Sequence, residues 1–281
     1  MASAPGRLAP APGHPGRAQD TPVLVAVAHG SRDPEALPAV RALLARVRAL
    51  RPGLSVRLGH LGLARPLLAD TLDGLRGGAV LVPLLLAPGH HVTHDLPAAL
   101  AAAPHLDGRI AAPLGPHPLL AEALHGRLTE AGFTRYAAPG RPAHTAVVLA
   151  AAGSRAPRSA AGTEAVAALL SARLGGLPVV PGYASAAAPT VPGAVRALTA
   201  RGHRRIAVAG CFTAPGRFAA RCAADAPDTA AAPLGDHPAL ARLLLHRYDE
   251  ALAAGESPAA GDVAGGYGSA RYSPRAATVA V

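Results

Sequence analysis

The chain has 281 residues, half of them apolar, and its 27 basic residues outnumber 17 acidic ones for a formal net charge of +10. That length allows one large domain or two ordinary halves, and the low aromatic content (3%, no Trp) means a core built from Leu, Val and Ala. The charge would suit nucleic acid, an acidic membrane surface or an anionic small ligand, but three Phe and five Tyr, scattered, make no stacking platform for bases.

Every basic residue is Arg and none is Lys, which together with abundant Ala, Gly and Pro reads as coding bias rather than a designed surface. The longest apolar run, Ala79–Ala87, is far too short for a bilayer. Cys211 and Cys222 lie eleven residues apart and form neither a disulfide framework nor a Cys-x-x-Cys site. Residues 1–20 contain no apolar segment of the kind a signal peptide needs. A soluble cytoplasmic protein, with an acidic small molecule as partner and neither nucleic acid nor membrane, is the expectation.

In chain order, residues 1–21 lack periodicity and read as a disordered tail. Val23–Ala28 reads as a buried strand, and Pro34–Leu50 as a helix with Leu37, Val40, Leu44 and Val47 on one face. Leu54–Leu58 is the next strand, Pro66–Leu75 the next helix, and Ala79–Leu86 a third strand continuous in Val and Leu. A helix near Leu96–Ala103, a strand near Arg109–Ala112 and a helix over His117–Ala131 complete four β-α units. Alternation of this kind predicts an α/β fold with a parallel sheet.

The pattern then restarts. Ala28-His-Gly-Ser-Arg-Asp-Pro returns as Ala151-Ala-Gly-Ser-Arg-Ala-Pro, offset by 123. Leu86-Ala-Pro-Gly returns as Thr213-Ala-Pro-Gly, offset by 127, and Leu114-Gly-Pro-His-Pro as Leu234-Gly-Asp-His-Pro, offset by 120. Three ordered matches at nearly constant spacing predict two tandem α/β halves, 22–138 and 139–253, joined near Ala137–His144 and facing each other across a cleft. Residues 254–281 read as a second disordered tail, and the whole as a monomer with pseudo-symmetric halves.

Ligands of parallel α/β sheets gather at the carboxyl ends of the strands. His29 stands there, followed by Gly30, Ser31, Arg32, Asp33 and Pro34. Gly30 permits a sharp turn, and Ser31 or Asp33 is placed to cap the following helix, which accounts for every residue of the stretch except His29. The third strand runs into a loop bearing His90, His91 and His94. If strands one and three are neighbours, imidazoles from the two ends converge on one borderline divalent ion. The duplicate carries Ala152 in place of His29, and Arg217-Phe218 in place of His90-His91. The scaffold is repeated and its imidazoles are not, as expected of a site needed once.

Strand–His-Gly-Ser-Arg-Asp-Pro, paired with a strand ending Pro-Leu-Leu-Leu-x-Pro-Gly-x-His-Val-x-x-Asp-Leu-Pro, resembles the sirohydrochlorin chelatase family over roughly residues 22–250. The resemblance implies the class II chelatase fold, two α/β halves around a cleft. It also implies insertion of cobalt or iron into sirohydrochlorin or precorrin-2, on the routes to siroheme and cobalamin. The family's metal-binding and catalytic histidines match His29 and His91, so His91 is preferred to His90. The divalent ion is a substrate, and no tightly bound cofactor is implied. Ser31, Arg32, Arg155 and Arg217 are the candidates for holding the acidic tetrapyrrole rim.

One departure stands out. The family commonly carries carboxylates in a stretch that here reads His60-Leu-Gly-Leu-Ala-Arg-Pro66, so Gly62 and Arg65 occupy those places and His60 becomes a candidate replacement base. Two other readings compete. Histidine phosphatases also place His-Gly after a first strand but need an arginine before it, and Ala28 stands there. A chelatase relative that binds metal or tetrapyrrole without turnover fits the missing carboxylates but not the retained histidine pair.

Overall fold

The computed structural model describes residues 21–87, 89–133, 144–155 and 157–255. The expected tails, at residues 1–20 and 256–281, and the joining segment at residues 137–143 lie outside them.

The first half runs β1 (Val23–Ala28), α1 (Ala36–Leu50), β2 (Val56–His60), α2 (Leu68–Asp73) and β3 (Gly77–Pro83). It continues through a π-helical turn (His91–Asp95) into α3 (Leu96–Ala101), β4 (Leu106–Ile110) and α4 (Pro118–Glu130). The second repeats the order: β5 (Thr145–Ala151), α5 (Pro157–Arg173), β6 (Val179–Tyr183), α6 (Val191–Ala200), β7 (Arg205–Gly210), α7 (Arg217–Ala224), β8 (Thr229–Ala230) and α8 (Pro238–Gly255). Each half forms a four-stranded parallel sheet, ordered β2-β1-β3-β4 and β6-β5-β7-β8.

The central strands are apolar on both faces because helices cover both. In β1, Leu24 to Val27 are fully buried, and α1 meets the sheet with Ala36, Val40, Leu43, Leu44 and Val47. Boundaries differ from the sequence reading for local reasons. α1 begins at Ala36, not Pro34, because Ser31 and Asp33 fold the preceding loop instead of capping the helix: Ser31 Oγ accepts from Asp33 N (3.1 Å) and Asp33 Oδ1 from Glu35 N (3.0 Å). β2 starts two residues late, after a turn closed by Leu54 N donating to Arg51 O. β3 ends at Pro83, after which only Leu84 N still bonds β1, at Val27 O (2.8 Å). α8 continues to Gly255, past the point where a tail was expected.

The duplication is visible bond for bond. Leu61 N donates to Ala28 O and Gly62 N to His29 O; in the second half Ala184 N donates to Ala151 O and Ser185 N to Ala152 O. Leu84 N to Val27 O is matched by Cys211 N to Ala150 O. Gly30, at φ +94°, presses so closely on the loop after β2 that a Cβ would lie 1.8 Å from Gly62 O; Gly153, at φ +87°, stands 1.8 Å by the same measure from Ser185 O.

The halves are not packed separately. α4 lies against α5 and β7 of the second half, while α8 returns to cover α1, β3 and β4 of the first. One apolar core therefore runs through both sheets, from Leu24 and Val82 through Leu124 to Leu149, Leu170 and Leu244. Arginines fasten the exchange: Arg127 donates to Leu234 O (2.8 Å), and Arg247 reaches Pro116 O (3.4 Å). Each exchanged helix is capped by an imidazole, His117 Nδ1 accepting from Leu119 N (3.1 Å) and His237 Nδ1 from Ala239 N (3.2 Å).

Two predictions follow from this packing. Gly30→Ala meets both a left-handed backbone and a carbonyl, and is expected to lower stability by about 2 kcal/mol or more, whereas Gly62→Ala, with nothing within 4 Å of its Cβ, changes it by less than about 1 kcal/mol; urea denaturation of the two variants makes the comparison. Burial, then Arg247 and His246, lowers the His117 pKa below 6.5 against Glu250, and burial and Arg127 do the same at His237 against Glu130 and Glu122. The unfolded chain then binds more protons than the folded one as pH falls below 6.5, so stability declines from there down through the lowered folded values. A His117→Asn, His237→Asn double variant retains a capping side chain and is expected to flatten that decline in denaturation curves taken across pH 4.5 to about 7.

Candidate metal centre

β1 and β3 pair directly, in register from Val23 opposite Ala79 to Val27 opposite Pro83. Their carboxyl ends therefore open side by side, and the two histidine-bearing segments leave the sheet together. His29 follows β1 at once. The chain after β3 does not stay a loop, as the sequence suggested; it winds into the π-helical turn, which carries His91 and His94 into α3. Such turns insert one residue into a helix and recur at functional sites.

The His29 and His91 rings come together with centroids 4.7 Å apart and planes at 46°. His91 Nδ1 lies 2.5 Å from Asp95 Oδ2. A carboxylate accepts there, so Nδ1 carries a proton and Nε2 is the nitrogen left for a ligand. Burial, and then the neighbouring His91, push the His29 pKa below its ordinary value, with Asp95 opposing. That direction disfavours the charged imidazole, and the neutral form is the one that binds metal. The hydrogen bond from His91 holds the Asp95 carboxyl below its ordinary value against the opposing effect of burial, with the neighbouring imidazoles acting in the same direction as the bond.

Of the other imidazoles of the segment, His90 lies edge-on to His91, with ring centroids 6.4 Å apart. His90 is 73% exposed and stacks on His94, centroids 4.5 Å apart, while His94 Nδ1 contacts Thr93 Oγ1 at 2.8 Å. Among the described residues no group of three or more His, Cys, Asp or Glu side chains is placed to hold a metal ion. The arrangement is an open pair of imidazoles, which leaves coordination positions exchangeable.

The loop after β2 is clamped to this site by the Gly30–Gly62 contact. Gly62 itself looks into open space, so a longer side chain there would find room beside the His29 loop. Arg65 turns away to pair with Asp70 at 3.2 Å. His60 is not a replacement base: it is buried, with Nδ1 3.0 Å from Pro66 O, and its counterpart in the second half is the buried Tyr183. It holds the loop in place.

The second half reaches the site through the turn before α7. A Cβ on Gly216 would lie 3.5 Å from Ser31 Oγ, so Arg217, the first residue of α7, starts beside the Ser31 loop. The Arg217 guanidinium lies 5.4 Å from the Phe218 ring centroid. Arg32 and Arg155 are exposed just beyond β1 and β5. Asp95 is the residue to which sequence reasoning assigned no role, although its spacing of four from His91 is the one at which helical side chains meet.

The comparisons with known proteins agree with this architecture. The family model described as CbiX matches the chain twice, over residues 23–131 and 146–251. A sirohydrochlorin cobaltochelatase of Methanococcoides burtonii is 29% identical over 123 residues, covering 38% of this chain and 94% of that relative, which is therefore about the size of one half. SirB from Bacillus subtilis with Fe3+ superposes with a TM-score of 0.66 at 20% identity, covering 85% of this chain and 98% of its own. The sirohydrochlorin chelatase SirB from Bacillus subtilis subspecies spizizenii in complex with cobalt gives 0.65 at the same identity and coverage. No helix among the described residues is long and apolar enough to cross a membrane. A fold of two parallel sheets built from one repeated unit, with the family pattern matched in each, places the chain in the CbiX family of sirohydrochlorin chelatases.

Proposed function

We propose that this protein inserts a divalent ion, Co2+ or Fe2+, into sirohydrochlorin or its precorrin-2 relative, and that His29 and His91 are the residues that deliver it. The observation that carries the reading is the pairing of these two imidazoles, 4.7 Å apart at the joined ends of β1 and β3, with one already fixed by a carboxylate. The solved relatives named with Fe3+ and with cobalt support iron and cobalt as the elements.

The reaction exchanges two pyrrole N–H protons for one M2+. Neutral imidazole binds a borderline ion without cancelling its charge, and its pKa lets it take up a proton near pH 7. His91 offers Nε2 to the ion; His29, whose burial disfavours the charged form, is a ligand that must release the metal before it can hold a pyrrole proton. The macrocycle bears many carboxylates, so Ser31 and Arg32 of the first half and Arg155 and Arg217 of the second are proposed to hold its rim. The ion is consumed as a substrate and no resident cofactor is called for.

A second reading, a relative that binds metal or tetrapyrrole without inserting, is favoured by Gly62 and Arg65, where no carboxylate stands to take up protons. Anaerobic incubation with sirohydrochlorin and Co2+ or Fe2+, followed by absorption, separates the two. Wild type is expected to exceed the spontaneous rate, and His29→Ala, His91→Ala to lose about 100-fold or more of that excess. Tetrapyrrole or metal binding with no enzyme-dependent insertion of any divalent ion would establish the second reading instead.

A further inference from the structure

We infer that Asp95 is a positioning residue of the metal centre, fixing His91 with Nε2 presented to the incoming ion; the inference rests on the proposed delivery of metal by His29 and His91.

Asp95 is the last residue of the π-helical turn, in helical backbone (φ −70°, ψ −39°) that runs directly on into α3, so it stands at no free helix end that it could cap. Its side chain makes no cap bond. The carboxylate turns back across the π-helical turn, and Oδ2 meets His91 Nδ1 at 2.5 Å. Its other oxygen is 3.8 Å from His90 Nε2, beyond hydrogen-bond reach, so the bond to His91 is its preferred one. The backbone of the turn is closed independently, by Leu96 N donating to His91 O. The side chain is therefore spent on orienting an imidazole rather than on shaping the helix.

The duplicate supplies the second argument. At the offset of 127 that aligns β3 with β7, His91 corresponds to Phe218 and Asp95 to Cys222. Cys222 is buried, and Phe218 packs against the cluster that contains it. The second half has kept the backbone bonds at its strand ends, yet it has lost His29 as Ala152, His91 as Phe218 and Asp95 as Cys222 together. The duplicate has the plain helix α7 where the first half has the π-helical turn, and the carboxylate is absent where the imidazole it holds is absent. Carboxylates that hold the far nitrogen of a metal-binding histidine fix its tautomer and raise its basicity.

The test compares Asp95→Ala, Asp95→Asn, His91→Ala and wild type, each with Co2+ alone as the probe. Co2+ affinity is read by equilibrium competition, and the His91 tautomer by long-range 1H–15N spectra of the metal-free protein. Asp95→Ala is expected to keep its thermal unfolding curve, weaken Co2+ binding about 10- to 100-fold and shift His91 from the Nδ1–H form to a mixture. Asp95→Asn, which still offers an accepting oxygen, should fall between. Wild-type affinity and an unchanged tautomer in Asp95→Ala, with His91→Ala weakened, would overturn the role of Asp95 and leave the metal centre standing. Wild-type affinity in His91→Ala itself would remove the metal centre, and the inference with it.

Discussion

The parallel pairing of β1 with β3 is the constraint on which the site depends. Strands that run the same way side by side release their chains at the same edge, so residues that follow them meet without any long-range coincidence of loops. His29 needs only to follow β1, and His91 only to head the turn after β3. The bond from Leu84 N to Val27 O carries the pairing one residue past the strand. Gly30 then lets the chain turn at φ +94° hard against Gly62 O, and the loop after β2 closes over the same edge. Two imidazoles at ring distance are a by-product of strand order and one glycine.

The second sheet makes the same edge without the chemistry. Gly153 turns against Ser185 O as Gly30 does against Gly62 O, and yet Ala152, Phe218 and Cys222 occupy the places of His29, His91 and Asp95. What the second half contributes is structural and lateral. Its last helix, α8, covers β3 and β4, while α4 crosses in the other direction to β7. Neither sheet is fully covered by its own helices, so the copy without imidazoles cannot be discarded without uncovering the sheet that carries them. It also brings the start of α7, with Arg217, to the Ser31 loop.

Much of this was legible in the residues. Alternating apolar runs and helix-period segments predict two parallel sheets, and the repeated Gly-Ser-Arg and Leu-Gly-x-His-Pro stretches mark the duplication. His29 and His91 were recognisable by their positions after strands and by resemblance. The rest was not, for physical reasons. The exchange of α4 and α8 leaves no periodic trace, since a helix has the same apolar face whichever sheet it covers. The π-helical turn is not predicted from the residues because His-His-Val-Thr-His-Asp has no amphipathic pattern. Ser31 and Asp33 have capping chemistry, and only the geometry shows it used one turn early. His60 looked like a free base because burial and the contact to Pro66 O depend on a loop folding back six residues later.

Two imidazole pairs among the described residues share a centroid separation of 4.7 Å, His29–His91 and His117–His246. In the second pair the nitrogens are already engaged: His117 Nδ1 accepts from Leu119 N, and His246 Nε2 faces Glu250 at 3.1 Å. Anomalous diffraction at the cobalt edge, from crystals equilibrated with Co2+, distinguishes them directly. A single strong peak between His29 and His91, with none at His117–His246 or beside Ala152 and Phe218, is the predicted result. A peak at the second pair, or none at the first with the metal bound elsewhere, would contradict it.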